Sequence, residues 1–251
     1  MDKETLNPDV DGARSRFDDF GVLHFKLLNR VHLSALFLLF HRYFIWTYEE
    51  ALRNECGYDG TFPYWNWGED DGNVEGSPLL DGSLTSLGNN GAFENTTPLF
   101  GVPQGSGGGC ILEGPFSNRT VNLGPGASTK YNPRCIKRDF NSHIIANWGS
   151  LRNTTDVILD SPNIEMFQAL LQGDARYPEA GKLGPATHGS GHFAVGKEKC
   201  VLCVLLVLTS FSGRRRPWRR FQLVSAGTYF LSSPRAGGQT VLHLAESSVE
   251  R

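Results

Sequence analysis

The chain has 251 residues, enough for one large domain or two small ones, and its formal charge of −2 argues against a general nucleic-acid binder. Twenty-nine glycines and 13 prolines predict much irregular structure around an apolar core. The charge is uneven: Lys197–Arg251 holds nine Lys/Arg against three Asp/Glu, a net +6 against −8 for the rest, which marks a boundary near residue 196.

Residues 1–15 read as a disordered lead-in, and Met1–Asp11 contains no apolar run of the kind a secretory signal needs. From Ser15 onward, Phe17, Phe20, Leu23 and Leu27 recur at helical spacing and would place His24 on the apolar face. His24, His32 and His41 follow one another at intervals of eight and nine residues in an otherwise apolar and aromatic run. Neutral imidazole is the commonest metal ligand, and a histidine trio in such a setting points to an all-nitrogen site; spacing does not choose among copper, zinc, iron and nickel. Between His32 and His41 runs LSALFLLF, without a glycine, so a helix continuing through His32 is the local expectation. A helix over His41–Glu55 should stop at Gly57. Arg42, Glu49 and Arg53 then form structural ion pairs, Phe44, Trp46 and Tyr48 pack in the core, and aromatic-rich Pro63–Trp67 covers the helix pair.

Gly68–Arg134 is rich in Gly, Asn, Ser and Pro and reads as long surface loops. Gly105–Cys110 is glycine-rich but lacks the Lys-Ser/Thr of a phosphate-binding loop. Acceptor triplets for N-glycosylation begin at Asn95, Asn118 and Asn153. They lean toward a secretory origin, which the missing signal would reconcile with an N-terminus shortened relative to a secreted parent. Five cysteines leave the disulfide pairing open. Asn141–Trp148 and Ile164–Leu171 read as short helices. His188 and His192 lie four apart, so on a helix they share a face and can hold one ion. Gly189 follows His188 where a zinc hydrolase of the His-Glu-x-x-His type would carry glutamate. Glu179 reads as an exposed loop residue more than as a water-orienting base. Beyond residue 196, the apolar stretch Cys200–Leu208 falls well short of the about 20 residues of a membrane span. Arg214–Arg220 reads as a solvated charge run.

Several words in the chain are specific. His32, Phe37, Phe40, His41, Arg42 and Glu49 stand at the offsets of a copper-binding signature, followed by NECGY (54–58) and PYWNW (63–67). THGSGHFAVG (187–196), preceded by EMFQALLQG (165–173), forms the start of a second such half. Together they resemble the tyrosinase family of dicopper phenol oxidases, in a fungal form. The resemblance implies a mainly α fold, a four-helix bundle in which each of two copper ions sits between two helices. It implies monophenol or o-diphenol oxidation to an o-quinone with dioxygen, in a secreted glycoprotein. By motif, His24, His32 and His41 hold the first copper, and His188 and His192 supply two of three ligands for the second. The small phenolic substrate and dioxygen are the expected partners, with no nucleic acid and no membrane.

The likeness of the motifs stops at Gly196. His243 lacks the neighbours of the family's remaining ligand, so the expectation is an incomplete bundle: residues 16–196 as copper-binding domain (first half 24–67, partial second half 188–196) and 197–251 as a poorly ordered, divergent tail. On that reading the first site is the better occupied and oxidation is impaired. The competing reading is a copper-binding remnant, or the product of a faulty gene model, without activity.

Overall fold

The structure, a computed structural model, describes residues 1–97, 101–180 and 184–196. The expected tail at 197–251, with Cys200, Cys203 and His243, lies outside them.

Helix α1 (Arg16–Val31) starts where Ser15 and the carboxylate of Asp18 cap each other. The buried Asp18 carboxylate accepts from the Arg14 and Ser15 backbone N–H groups, the Ser15 hydroxyl and Asn122. Asp19, also buried, accepts from the Leu6 N–H, Thr5, Asn7 and Arg16. Burial pushes its carboxyl up, but those hydrogen bonds outweigh it and hold the group below its ordinary pKa. Residues 1–15 are therefore tied onto α1 rather than loose, and Ala13 is part of the core. The inward stripe of α1 is Phe17, Phe20, His24 and Val31; Leu23 faces solvent.

Helix α2 (Phe37–Cys56) begins four residues earlier than the sequence suggested and ends at Gly57, whose φ of 69° allows the Schellman closure from Gly57 N to Arg53 O and Tyr58 N to Leu52 O. The edge of Phe20 meets Phe44 and Tyr48, with ring centroids 5.8 and 4.9 Å apart, and this joins α1 to α2. Trp46 is exposed, contrary to expectation. With Leu36, Leu39 and Tyr43 it forms a solvent-facing apolar stripe at helical spacing. The expected Arg53–Glu49 ion pair is present at 2.6 Å.

The stretch read as loops carries more order than its composition suggests. Strands β1 (Gly91–Phe93) and β2 (Gly108–Ile111) pair antiparallel, as do β3 (Thr120–Leu123) and β4 (Tyr131–Cys135). Gly91 lies so close to β2 that a Cβ there would meet the Gly109 carbonyl at 2.1 Å. The two hairpins are joined by the Cys110–Cys135 disulfide, which closes a span of 25 residues; Cys56 is a free, exposed thiol. The buried Arg138 guanidinium donates to the Leu87 and Gly88 carbonyls, stitching the loop before β1.

A short turn, α3 (Ser142–Ile144), runs into a π-helical turn (Ile145–Gly149), then α4 (Leu151–Leu159), α5 (Ile164–Gln172) and α6 (Ala186–Phe193). Helix α4 was not expected: its polar ArgAsnThrThrAsp segment hides the pattern, and its start is set by the mutual capping of Ser150 and Asn153. A second small core joins Phe37 of α2 to Val157 of α4 and to Phe167 and Leu171 of α5. The fold is thus mainly α. Among the described residues, no helix is long and apolar enough to cross a membrane.

Closing a loop of this size with a disulfide restricts the unfolded chain by about 3.5 kcal/mol. The double variant C110S/C135S is expected to lose about 3 kcal/mol of unfolding free energy in a urea titration. An unchanged midpoint would show that the cross-link contributes nothing.

Candidate metal centre

The first histidine sits in mid-helix on α1, the second at the C-terminal cap of α1, and the third one turn into α2. Antiparallel placement of the two helices would bring the three together only if the chain reverses sharply after His32. It does. His32 leaves the helix at φ −101°, ψ 152°, and Leu33 takes a φ of 49°, the left-handed region. The helix therefore does not run through His32. A non-glycine residue makes the reversal, at a cost on the order of 1–2 kcal/mol that surrounding contacts must offset.

The contacts are visible. The Leu33 N–H donates to Gln172 Oε1 at 2.8 Å, and the Leu33 carbonyl accepts a short hydrogen bond from Arg176 Nη2. Gln172 is the last residue of α5 and Arg176 lies in the turn that follows it. The second non-glycine residue with positive φ among those described is Ala186, at 54°, two positions before His188. Both strained residues thus adjoin histidine-bearing elements.

The ligand nitrogens of His24, His32 and His41 all lie within 4.8 Å of one another. Two tethers orient the rings: His32 Nδ1 lies 3.0 Å from Leu28 O and His41 Nδ1 2.7 Å from Phe37 O. A nitrogen facing a carbonyl must carry the proton, so the Nε2 lone pairs of both rings point into the cluster. His41 Nε2 is 3.3 Å from His24 Nε2. That separation suits a shared proton, and it equally matches two nitrogens each about 2.0 Å from one ion at a tetrahedral angle. The residues present therefore fit a metal held by three Nε2 atoms.

His188 and His192 share one face of α6, ring centroids 4.7 Å apart, as their spacing suggested. His188 approaches the first group, 6.1 Å from His32 and 6.4 Å from His41. Phe37, 2% exposed, flanks this contact, its ring 4.6 Å from His41, 4.9 Å from His188 and 5.7 Å from His32. Phe40 and Phe44, stacked at 5.7 Å, close the other side around His24. All five predicted ligands are thereby gathered into one cluster. His143 is exposed on α3 beside Asn147 and takes no part. Glu179 is exposed. Leu33, Gln172 and Arg176 carried no signal in the sequence, since no local pattern connects them.

His24 and His41 are buried, and His32, His188 and His192 are half-buried as whole residues. Burial pushes the His41 imidazole down, and the neighbouring His188, His32 and His24 push it further, to about 2, against the raising effect of the Phe37 carbonyl. His188 is likewise held well below its ordinary value by desolvation and by His192, His32 and His24. Neutral rings are the ligating form.

Comparison with known proteins gives the same outline. A family model, the common central domain of tyrosinase, matches residues 14–216, past the point at which the motif-level likeness ends. Tyrosinase P of Aspergillus terreus is 35% identical over 256 aligned residues, covering 88% of this chain and 70% of that protein. Oxidase hkm6 of Aspergillus hancockii is 38% identical over 199 residues, covering 72% and 68%. A solved polyphenol oxidase variant from Thermothelomyces thermophila superposes with a TM-score of 0.69 at 32% identity, covering 81% of this chain and 57% of that one.

The depressed imidazoles make stability depend on pH. Below about 6.5 the unfolded chain takes up protons that the folded His41 and His188 refuse, so the stability they preserve is complete above 6.5 and is lost as pH falls toward 2. For His41 alone the expected slope is about 1.4 kcal/mol per pH unit. Denaturant titrations of the metal-free protein at pH 7.5, 6 and 5 would measure it, and H41F should flatten the slope. Equal stabilities at pH 7.5 and 5 would contradict the burial of neutral rings.

Proposed function

Because the chain belongs to the tyrosinase family, we propose that it binds copper through its clustered histidines and oxidises phenols or catechols to o-quinones with dioxygen. The observation that carries this reading is the convergence of His24, His32 and His41 on one point, with His188 in ring contact with His32 and His41 and His192 beside it on α6. Bound copper would supply the redox couple that moves electrons from a phenol to dioxygen. The protein's part is placement. The Leu28 and Phe37 carbonyls fix two rings with Nε2 forward. Phe37, Phe40 and Phe44 exclude water from the inner side.

The ligand set is asymmetric: three imidazoles in the first group and two in the second among the described residues. In this chain the first site is therefore the better occupied, and turnover is slow. The same asymmetry favours a second reading, a copper-binding protein without oxidase activity. Gly189, beside His188 in α6, bears on whether the substrate is a monophenol or a diphenol.

A secreted glycoprotein fits the remaining features. The Cys110–Cys135 disulfide suits an oxidising compartment. Asn95 and Asn118 are exposed and open to glycan transfer, whereas Asn153 is engaged in capping α4 through its Oδ1.

Copper titration followed by removal of loose metal should leave at least one ion per chain, and H41A should retain about tenfold less at the same free copper. Catechol-dependent oxygen uptake should be detectable in the copper-loaded protein, absent from H41A, and slow. One copper with no uptake favours the second reading; two coppers with rapid quinone formation would overturn the claim of slow turnover; no retained copper would sink both.

A further inference from the structure

Two residues among those described, other than glycine, have positive φ, Leu33 and Ala186, and one segment touches both. Helix α5 ends at Gly173, in the left-handed region at φ 67°, and the chain then folds back through Asp174, Ala175 and Arg176. At this turn Gly173 lies under Ala186: a Cβ added there would meet the Ala186 Cβ at 3.1 Å and the Gly184 carbonyl at 3.2 Å. On its other side, Gln172 and Arg176 grip the Leu33 peptide, one on its N–H and the other on its carbonyl. The grip is stiff. Arg176 Nε donates to both carboxylate oxygens of Asp174, at 2.9 and 3.1 Å, and Nη2 adds a third bond at 2.5 Å. The Asp174 side chain is 4% exposed although that of Arg176 is 67% exposed, so a buried anchor holds a surface guanidinium in one orientation. The Asp174 backbone N–H is in turn fixed to Ala169 O at 2.9 Å. Tyr177, next in the chain, ties back to Glu165 at the start of α5.

We propose that Arg176, anchored by Asp174, is a positioning residue for His32: it holds the Leu33 peptide in its left-handed turn and so sets where the imidazole of the preceding residue points. The inference rests on the reading of His24, His32 and His41 as a copper site. Leu33 has a side chain where the backbone conformation favours glycine, so the turn relaxes toward an extended or helical form unless both of its polar groups are engaged from outside. Relaxation at residue 33 swings His32 relative to His24 and His41, which sit on rigid helix interiors. The strap thus couples the loop that leads into α6 to the geometry of the site on α1 and α2.

The test uses the full chain and cupric ion alone. Copper affinity is measured by competition with a chelator, with the paramagnetic resonance spectrum of the bound ion as a second readout. H32A identifies the His24–His32–His41 contribution. R176M is expected to weaken that affinity about tenfold and to alter the spectrum, and Q172A to act in the same direction. Adding L33G to R176M should restore affinity to within about twofold of the parent, because glycine holds the turn without a clamp. A merely structural role for Arg176 would lower thermal stability without this rescue. If R176M does not fold, its recovery by L33G supports the inference and failure to recover overturns it. Unchanged affinity in both R176M and Q172A, or no rescue, overturns the positioning role while leaving the copper site intact. Absence of H32A-sensitive copper from the parent chain removes the site itself, and the inference with it.

Discussion

His41 and His188 stay neutral in the fold because a charge on either would lose its water and meet potential charges of the same sign on the imidazoles around it. The protein accepts this constraint and surrounds the rings with Phe37, Phe40 and Phe44, which make no demand for hydrogen bonds. The Nδ1 atoms of His32 and His41 meet carbonyls one helical turn earlier. Desolvation, tautomer and ring direction are thus settled by the same few residues. The rest of the fold works to hold α1, α2 and α6 against one another.

Phe37 has a double part in that. It is the first residue of α2, the shared wall of the two histidine groups, and the member of the second core that reaches Phe167 and Leu171 on α5. Packing that stabilises α5 therefore also fixes the distance between the first histidines and His188. The hairpins share the main core with α1 and α2 through Ile111, Val121 and Leu123, and Asn122 of β3 donates to Asp18. The segment after β4 receives the end of α6: Asp139 N donates to Val195 O and Asn141 N to Ala194 O.

Much of the centre was legible because it is written in chemistry-bearing residues at fixed offsets. The gathering of His24, His32 and His41 was legible from their spacing and setting, the pairing of His188 and His192 from the motif around them, and Gly57 marked the end of α2 because glycine readily takes the left-handed conformation that closes many helices. What was not legible depends on partners far along the chain. The polar residues of 1–15 look disordered until Asp18 and Asp19 are seen to collect their hydrogen bonds. Short strands in a glycine-rich stretch bury Ile111, Val121 and Leu123 without any alternation long enough to register. Trp46 was assigned to the core on its chemistry alone, yet its place on α2 turns it to solvent.

The reversal at Leu33 bears on how the chain's heredity should be read. A glycine at such a point records its conformation in its own identity, so the turn is inherited as one letter. Here the same turn is specified by a leucine together with an arginine 143 positions away. Positions 33 and 176 then behave as a single character with two spellings, one local and one distributed. Loss of the arginine is then best tolerated where glycine already stands at 33.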